Sequence, residues 1–214
     1  RTSEVLNQAG KELEFISKYQ IGTLFFTDKE FPRRLANCPD APVILFTKGN
    51  MKLDTEKVVS IVGTRNATDY GKEMCDKLIS DFQERNYTIL VISGLAYGID
   101  IQAHKSALKY NIPTVAVLGH GLDRIYPGSH SAIARKMVEN GGLVSDFTSG
   151  TKIEATNFLR RNRIIAGLAD ATIVIESGES GGALVTADIA SSYNRDVFAF
   201  PGRAGDPFSR GCNK

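Results

Sequence analysis

Apolar positions in this chain follow two regimes. Over residues 1–18, Val5, Leu6, Ala9, Leu13, Phe15 and Ile16 recur at roughly helical spacing with polar residues between them, which predicts an amphipathic helix. From Val58 onward the pattern changes. Apolar runs of strand length occupy residues 58–62, 89–92, 115–118, 172–175 and 197–200. None alternates between faces, as expected of strands covered on both sides. Helical candidates lie between them at 70–84, 100–110, 131–139, 158–168 and 184–193. Strand and helix therefore alternate, which predicts an α/β fold: a doubly wound, mainly parallel sheet with helices on both faces.

The connecting region is less regular. Ile21-Gly22-Thr23-Leu24-Phe25-Phe26 is short and β-prone, and Cys38-Pro39-Asp40-Ala41-Pro42 reads as a rigid, non-helical connector. Val43-Ile44-Leu45-Phe46 reads as a buried strand that turns at Lys48-Gly49-Asn50. The pattern divides the chain into a short N-terminal helical segment, residues 1–28, and an α/β body over 29–214. Both ends are abrupt, an arginine at one and Ser209-Arg210-Gly211-Cys212-Asn213-Lys214 at the other, and the chain reads as a piece of a longer protein.

Composition narrows the class. No apolar run approaches the roughly 20 residues of a membrane span, and no basic stretch followed by an apolar one marks a secretory signal. Cys38, Cys75 and Cys212 are far apart, which argues against a disulfide framework and a zinc site, so the chain is read as cytoplasmic. With 26 basic against 24 acidic residues the net charge of +2 forces no partner by itself.

The 20 glycines do point somewhere, because they cluster after strands. The turns Gly63-Thr64-Arg65, Ser93-Gly94-Leu95-Ala96-Tyr97-Gly98, Gly119-His120-Gly121, Ser177-Gly178-Glu179-Ser180-Gly181-Gly182 and Pro201-Gly202-Arg203 each follow an apolar run. In a parallel sheet the C-terminal ends of the strands share one edge, so these five loops gather on one rim. Glycine lets main-chain N–H groups approach a ligand closely, and loops feeding helix N-termini make an anion cradle. A single loop of this kind is more often just a tight turn. Five together favour a phosphate or nucleotide-like ligand.

A basic element accompanies the glycines: Phe158, Arg160, Arg161, Asn162 and Arg163. Arginine forks suit phosphates and an aromatic ring suits a base. Cations at the start of a helix oppose its dipole, so a purely structural role explains this cluster less well than a ligand does. Arg65 and Arg163 are expected to be phosphate contacts that meet over one strand of polyanion, and one of the pair Arg161 and Arg163 is expected to face the cleft. Other candidates fail. No dinucleotide fingerprint is intact, since Arg124 stands where the third glycine belongs, and there is no phosphate-loop lysine and no nucleophile elbow. Asp100 and His104 are spaced as an acid–base pair but read better as a structural hydrogen bond with Asp100 near a helix N-cap. His120 and His130 lack companions at metal-ligand spacing. Tyr97 and Tyr126 either stack on a ligand or pack.

The ordered motifs also resemble a known family. Ile61-Val62-Gly63-Thr64-Arg65, Ser93-Gly94-Leu95-Ala96 with Gly98-Ile99-Asp100 and His104, Gly119 with Gly121-Leu122-Asp123 and Tyr126-Pro127, Phe158 with Arg161-Asn162-Arg163-Ile164-Ile165, Ser180-Gly181-Gly182, Pro201-Gly202 and Gly211-Cys212-Asn213 are similar to the DNA-processing protein A (DprA/Smf) family. The upstream Phe31-Pro32 and Leu45-Phe46 fit as well, so the likeness runs from about Gly22 to the last residue. The resemblance implies an extended Rossmann-like domain over 29–214 that binds single-stranded DNA without catalysis, cofactor or metal. It implies a role in natural transformation, protecting incoming DNA and helping load a RecA-type recombinase, with a homodimer as the working unit. It places DNA against Gly63, Thr64, Arg65, Ser93, Gly94, Phe158, Arg161 and Arg163, to which the rim argument adds Ala96, Gly98, Gly119, Gly121, Arg160, Asn162, Ser180, Gly181 and Gly182. Some members carry a lysine where this chain has Ala155, and Lys152 is the nearest substitute. The alternative function is a nucleotide-processing enzyme related to the lysine-decarboxylase-like phosphoribohydrolases, whose glycine–threonine and glutamate motif is missing after Gly182.

Overall fold

Strong apolar runs separated by polar helices leave one economical arrangement, a central sheet with a layer on each side. The computed structural model describes residues 2–214, so Arg1 of the expected first helix lies outside them. Six strands run parallel: β3 (Lys57–Val62), β4 (Ile89–Ser93), β5 (Thr114–Val117), β6 (Gly141–Ser145), β7 (Ala171–Val174) and β8 (Asp196–Ala199). Two more, β1 (Gly22–Phe25) and β2 (Ile44–Lys48), extend the sheet antiparallel, giving the order β1-β2-β6-β5-β4-β3-β7-β8. This is the expected α/β, Rossmann-like architecture with helices on both faces.

Alternate residues of each central strand feed opposite layers. Val58, Val62, Leu90, Ile92, Val115 and Val117 face α6 (Ala155–Leu168), α7 (Gly182–Ser192) and the short α2 (Arg33–Ala36). Ile61, Ile89, Val91 and Ile173 face α3 (Asp69–Glu84) and α4 (Ile99–Lys109). A third cluster seats α5 (Ser131–Met137) through Ala134 and Met137. The N-terminal helix α1 (Thr2–Tyr19) is mostly exposed and reaches the sheet's rim through Glu12, which accepts from the Ser149 amide at 3.0 Å.

Two strands depart from the sequence reading. The apolar pattern does not predict β6, because Gly141-Gly142 reads as a turn. Its glycines are required by close approach: a Cβ on Gly141 would overlap the Thr114 carbonyl oxygen, and one on Gly142 would overlap that of Lys48. β8, expected to be covered on both faces, is an exposed edge strand with Phe198 56% accessible. Its apolar pattern is the same as that of a central strand, and periodicity alone does not distinguish the two.

The chain fills β3 to β6 in one direction, then crosses back through α6 to place β7 on the other side of β3. That reversal opens a crevice beyond the carboxyl ends of β3 and β7. Behind it, His104 on α4 is fully buried, with Nδ1 2.8 Å from Thr114 Oγ1 and Nε2 without a partner among the described residues. Burial holds its imidazole down at about 3, against a usual value of 6.5. Between those values the unfolded chain binds a proton that the native state does not, so this stabilisation is complete above pH 6.5 and is lost as pH falls toward 3. Urea denaturation at pH 7.5 and 5.5 should show wild type losing about 1.4 kcal/mol more than a folded His104→Leu variant.

Candidate nucleic-acid interface

The rim loops are positioned by bonds that leave their outward groups free. Directly after β3, the Thr64 amide donates to the Glu176 carbonyl at 2.7 Å, and the Thr64 carbonyl accepts from Ile99 at 3.1 Å. Glu176 is buried, and its carboxylate accepts from the Thr68 hydroxyl at 2.6 Å and the Thr68 amide at 2.9 Å. Gly98, at φ +76°, brings the start of α4 so close to this turn that a Cβ would overlap the Thr64 carbonyl oxygen. The turn is thus held rigidly from two sides. Arg65 at its tip is exposed and makes no ion pair among the described residues.

Opposite stands the N-terminus of α7, where Gly181 and Gly182 begin the helix with no side-chain cap. Its first amides are therefore available to an anion. Asn162 ties this end to α6 by donating to the Gly182 carbonyl at 3.3 Å. Between the two lies a cavity of about 410 Å3, lined by Gly63, Thr64, Arg65, Ala96, Phe158, Arg161, Asn162, Ser180, Gly181 and Gly182 among others. A second, of about 280 Å3, opens between the ends of β4 and β5 and is lined by Gly94, Ala96, Gly119, Tyr97, His120, Tyr126, Phe158 and Arg161. Arg65, Ala96, Ala155, Phe158 and Arg161 line both, so the two spaces adjoin along one edge of the sheet.

Arg161 forms the floor. It is 4% exposed, and its Nη1 donates to the carbonyl oxygens of Gly94, at 2.7 Å, and of Val117. Burial, helped by the nearby Arg65 charge, lowers its guanidinium to about 10, and Asp100 opposes that shift. Asp100 is buried too and accepts from the Ala96 amide at 3.3 Å, and its burial pushes the carboxyl upward. Asp100 and His104 do not bond one another, so neither an acid–base pair nor the expected structural hydrogen bond between them forms: each is held by its own partner, although Asp100 does lie in the first turn of α4.

Five of the residues expected at the site lie outside the cleft walls or turn away from them, and for identifiable reasons. Ser93 is fully buried, donating to the Ile61 carbonyl at 2.6 Å. Gly98 serves the loop behind it, and a Cβ on Gly121 would overlap the Thr148 carbonyl oxygen on the far side of its turn. Arg160 sits over the Phe147 ring at 5.5 Å. Arg163 pairs with the buried Asp146 at 2.5 Å and also donates to the Asp40 carbonyl, so it anchors the β6 end to the N-terminal connector instead of meeting Arg65. Of the arginine pair it is Arg161 that faces the cleft. The argument from an opposing dipole also needs correction: α6 begins at Ala155, a turn earlier than expected, so the arginines lie past its first turn. Lys152 is exposed and lines neither cavity, whereas Ala155 lines both. Ser177 and Gly178 are wall residues that belong to an expected rim loop but were not among the expected site residues, and their loop is fixed by the Gly211 amide donating to the Ser177 carbonyl at 3.0 Å.

Gly94 shows how tightly the floor is built. A Cβ there would overlap Asp100 Oδ2 and come within 2.7 Å of Arg161 Nη2, two groups that cannot retreat. Gly94→Ala should cost about 1–3 kcal/mol in urea denaturation through forced displacement of Arg161. Gly128→Ala, on the same edge with nothing within 4 Å of its Cβ, should leave the midpoint unchanged.

Comparisons with known proteins agree on one lineage. The sequence profile of "DNA recombination-mediator protein A" matches residues 22–214. The chain is 41% identical over 186 residues to "Protein Smf" of Escherichia coli, covering 86% of this chain and 49% of that one. It is 37% identical over 192 residues to "DNA processing protein DprA" of Bacillus subtilis, covering 89% and 64%. The chain thus spans about half to two thirds of these curated relatives. Among solved structures, DNA processing protein A from Streptococcus pneumoniae superposes with a TM-score of 0.85 at 36% identity, covering 93% of this chain and 70% of that one. The Helicobacter pylori protein, described through its "unique single-stranded DNA binding mode", gives 0.81 at 29% identity over 91% and 86%. With a profile match over nearly all of the chain and a Rossmann-like fold shared with these structures, the chain belongs to the DNA recombination-mediator protein A (DprA/Smf) family.

Proposed function

We propose that the cleft binds single-stranded DNA through its backbone, without catalysis. One observation carries this reading: an exposed Arg65 with no ion-pair partner among the described residues faces the uncapped N-terminus of α7 across a cleft walled by Phe158. Phosphates bridge such a pair of positive poles, and exposed bases stack on an aromatic wall. Duplex DNA presents neither unstacked bases nor a backbone narrow enough to enter, so single strands are favoured, with little dependence on sequence. The single-stranded DNA named for the Helicobacter pylori relative supports the same ligand. Larger roles rest on family membership. They are protection of incoming DNA during natural transformation, loading of a RecA-type recombinase, action as a homodimer and a cytoplasmic location. No helix among the described residues is long and apolar enough to cross a membrane.

The enzymatic alternative needs an ionised carboxylate at the reacting atoms. In the cleft Asp100 is buried and bonded to the Ala96 amide, which suits a structural role. Release of base from a nucleoside monophosphate is expected to be undetectable, and measurable release would replace the binding reading.

Fluorescence titration of labelled oligothymidine against salt tests the site. Arg65→Ala should flatten the logarithmic salt slope by about 0.7, the value for one lost phosphate contact on a single strand. Arg65→Glu should bind more weakly still, with an unchanged circular dichroism spectrum. Arg163→Met should do the reverse. Its denaturation free energy should fall by about 3 kcal/mol, because Asp146 is left buried and unpaired, while the salt slope stays that of wild type. Wild-type affinity and slope in folded Arg65→Glu would remove this cleft from DNA binding.

A further inference from the structure

Two of the motifs that mark this sequence, Pro201-Gly202 and Gly211-Cys212-Asn213, line neither cavity of the cleft. In the structure they are tied to each other. The Asn213 carboxamide bonds the turn after β8 with both of its ends. Its Oδ1 accepts from the Gly202 amide at 3.0 Å, and its Nδ2 donates to the carbonyls of Gly202 at 3.2 Å and Arg203 at 3.5 Å. That turn is fixed from two further sides. Tyr70 on α3 donates to the Pro201 carbonyl at 2.7 Å, and a Cβ on Gly202 would overlap the hydroxyl of the buried Ser209. Asn213 thus hangs residues 209–213 on a rigid anchor.

The anchored segment in turn holds the loop that leads into α7. Gly211, besides donating to the Ser177 carbonyl, lies so close to the loop that a Cβ would overlap the Gly178 carbonyl oxygen. Cys212 packs against the apolar layer beneath α6 and α7. Lys214 and Arg210 pair with Glu179 at 3.3 and 3.8 Å. Ser177, Gly178, Ser180 and Gly181 line the larger cavity, whereas Glu179, the one carboxylate of the loop, does not. Among the described residues, the hydrogen bonds that reach residues 177–180 from elsewhere in the chain come from Gly211 and Lys214 alone. The wall of the phosphate cradle therefore depends on a segment that the ligand does not touch.

We propose that Asn213 is a positioning residue for DNA binding: by clamping residues 209–213 to the turn after β8 it fixes the 177–182 loop, and with it the first amides of α7, opposite Arg65. The inference rests on the backbone-binding reading above and deepens it, naming a residue that acts on the cradle through Gly211. A loop whose backbone is already set loses little freedom when a phosphate arrives. With the clamp gone, binding must also order the loop, and affinity falls although every phosphate-contacting group is still present.

The test places Asn213→Ala in the wild-type and the Arg65→Ala backgrounds. In the free protein, hydrogen exchange followed by mass spectrometry should quicken over residues 177–184 and stay unchanged in the central strands. Affinity for labelled oligothymidine should fall about fivefold, the effect of hydrogen bonds lost at one residue, and the salt slope should flatten by no more than about 0.7. With Arg65 already replaced, the phosphate is no longer drawn to the cradle, and Asn213→Ala should weaken binding by about twofold or less. A residue that only stabilised the fold would leave the affinity of the folded protein unchanged and would not depend on Arg65. Circular dichroism checks folding, and if Asn213→Ala fails to fold, Asn213→Ser, which keeps one hydrogen-bonding group, carries the same comparisons. Wild-type exchange over residues 177–184, wild-type affinity in the folded variant, or an equal loss in both backgrounds would each overturn the inference and leave single-strand binding standing. Failure of the wild type to bind oligothymidine, or wild-type affinity and slope in folded Arg65→Glu, would overturn both.

Discussion

One buried guanidinium holds the cleft together. Arg161 reaches from α6 across the carboxyl edge of the sheet and donates to the carbonyls at the ends of β4 and β5, those of Gly94 and Val117. Such a charge is costly to desolvate and is tolerated only where its hydrogen bonds are made and a counter-charge is near. Here the carbonyls supply the bonds, and the Asp100 carboxyl, on the same side of Gly94 as the guanidinium, opposes the effect of burial on it. Glycine at position 94 follows from this, because a side chain would separate the groups. So does the direction of α6, whose start sets Phe158 and Ala155 over both cavities.

The same interaction explains why two arginines with opposite roles sit two residues apart in sequence. On a helix a shift of two residues rotates a side chain by about 200°, so Arg161 and Arg163 point to nearly opposite sides. Arg161 turns to the cleft, and Arg163 turns to Asp146 and the Asp40 carbonyl. Arg65 is a third kind, exposed and solvated. Desolvated, the first is committed to architecture. Screened but unpaired, the last is the cheaper charge to lend to a phosphate, since little must be broken to form the contact.

What could be read from the sequence, and what could not, follows from range. The rim was legible because glycines after apolar runs report a local need, and a parallel sheet then collects them on one edge. The β3 and β4 turns, Phe158 and the α7 N-terminus all line one cleft, as the rim argument expects. The partners of Arg160 and Arg163 were not legible, because they are fixed by Phe147, Asp146 and Asp40, residues at distances no helical period reports. β6 was hidden for the opposite reason. Gly141-Gly142 obeys a tertiary demand, the closeness of the Thr114 and Lys48 backbones, and so carries the local signature of a turn.

The division within the cleft bears on how a binding protein avoids reading sequence while still requiring a single strand. Backbone contacts alone would accept any polyanion, and base-edge contacts alone would select a motif. On the proposed reading, a rigid anion cradle beside an aromatic cavity imposes a different condition: the ligand must present a phosphate and an unstacked base together. Both lie within reach of Arg161 and Phe158, which wall the two spaces together. A duplex meets that condition only by breaking a base pair and its stacking, a cost of a few kcal/mol that a single strand does not bear. On that reading, preference for single strands arises from geometry at one shared wall, with no need for a surface that repels duplex DNA.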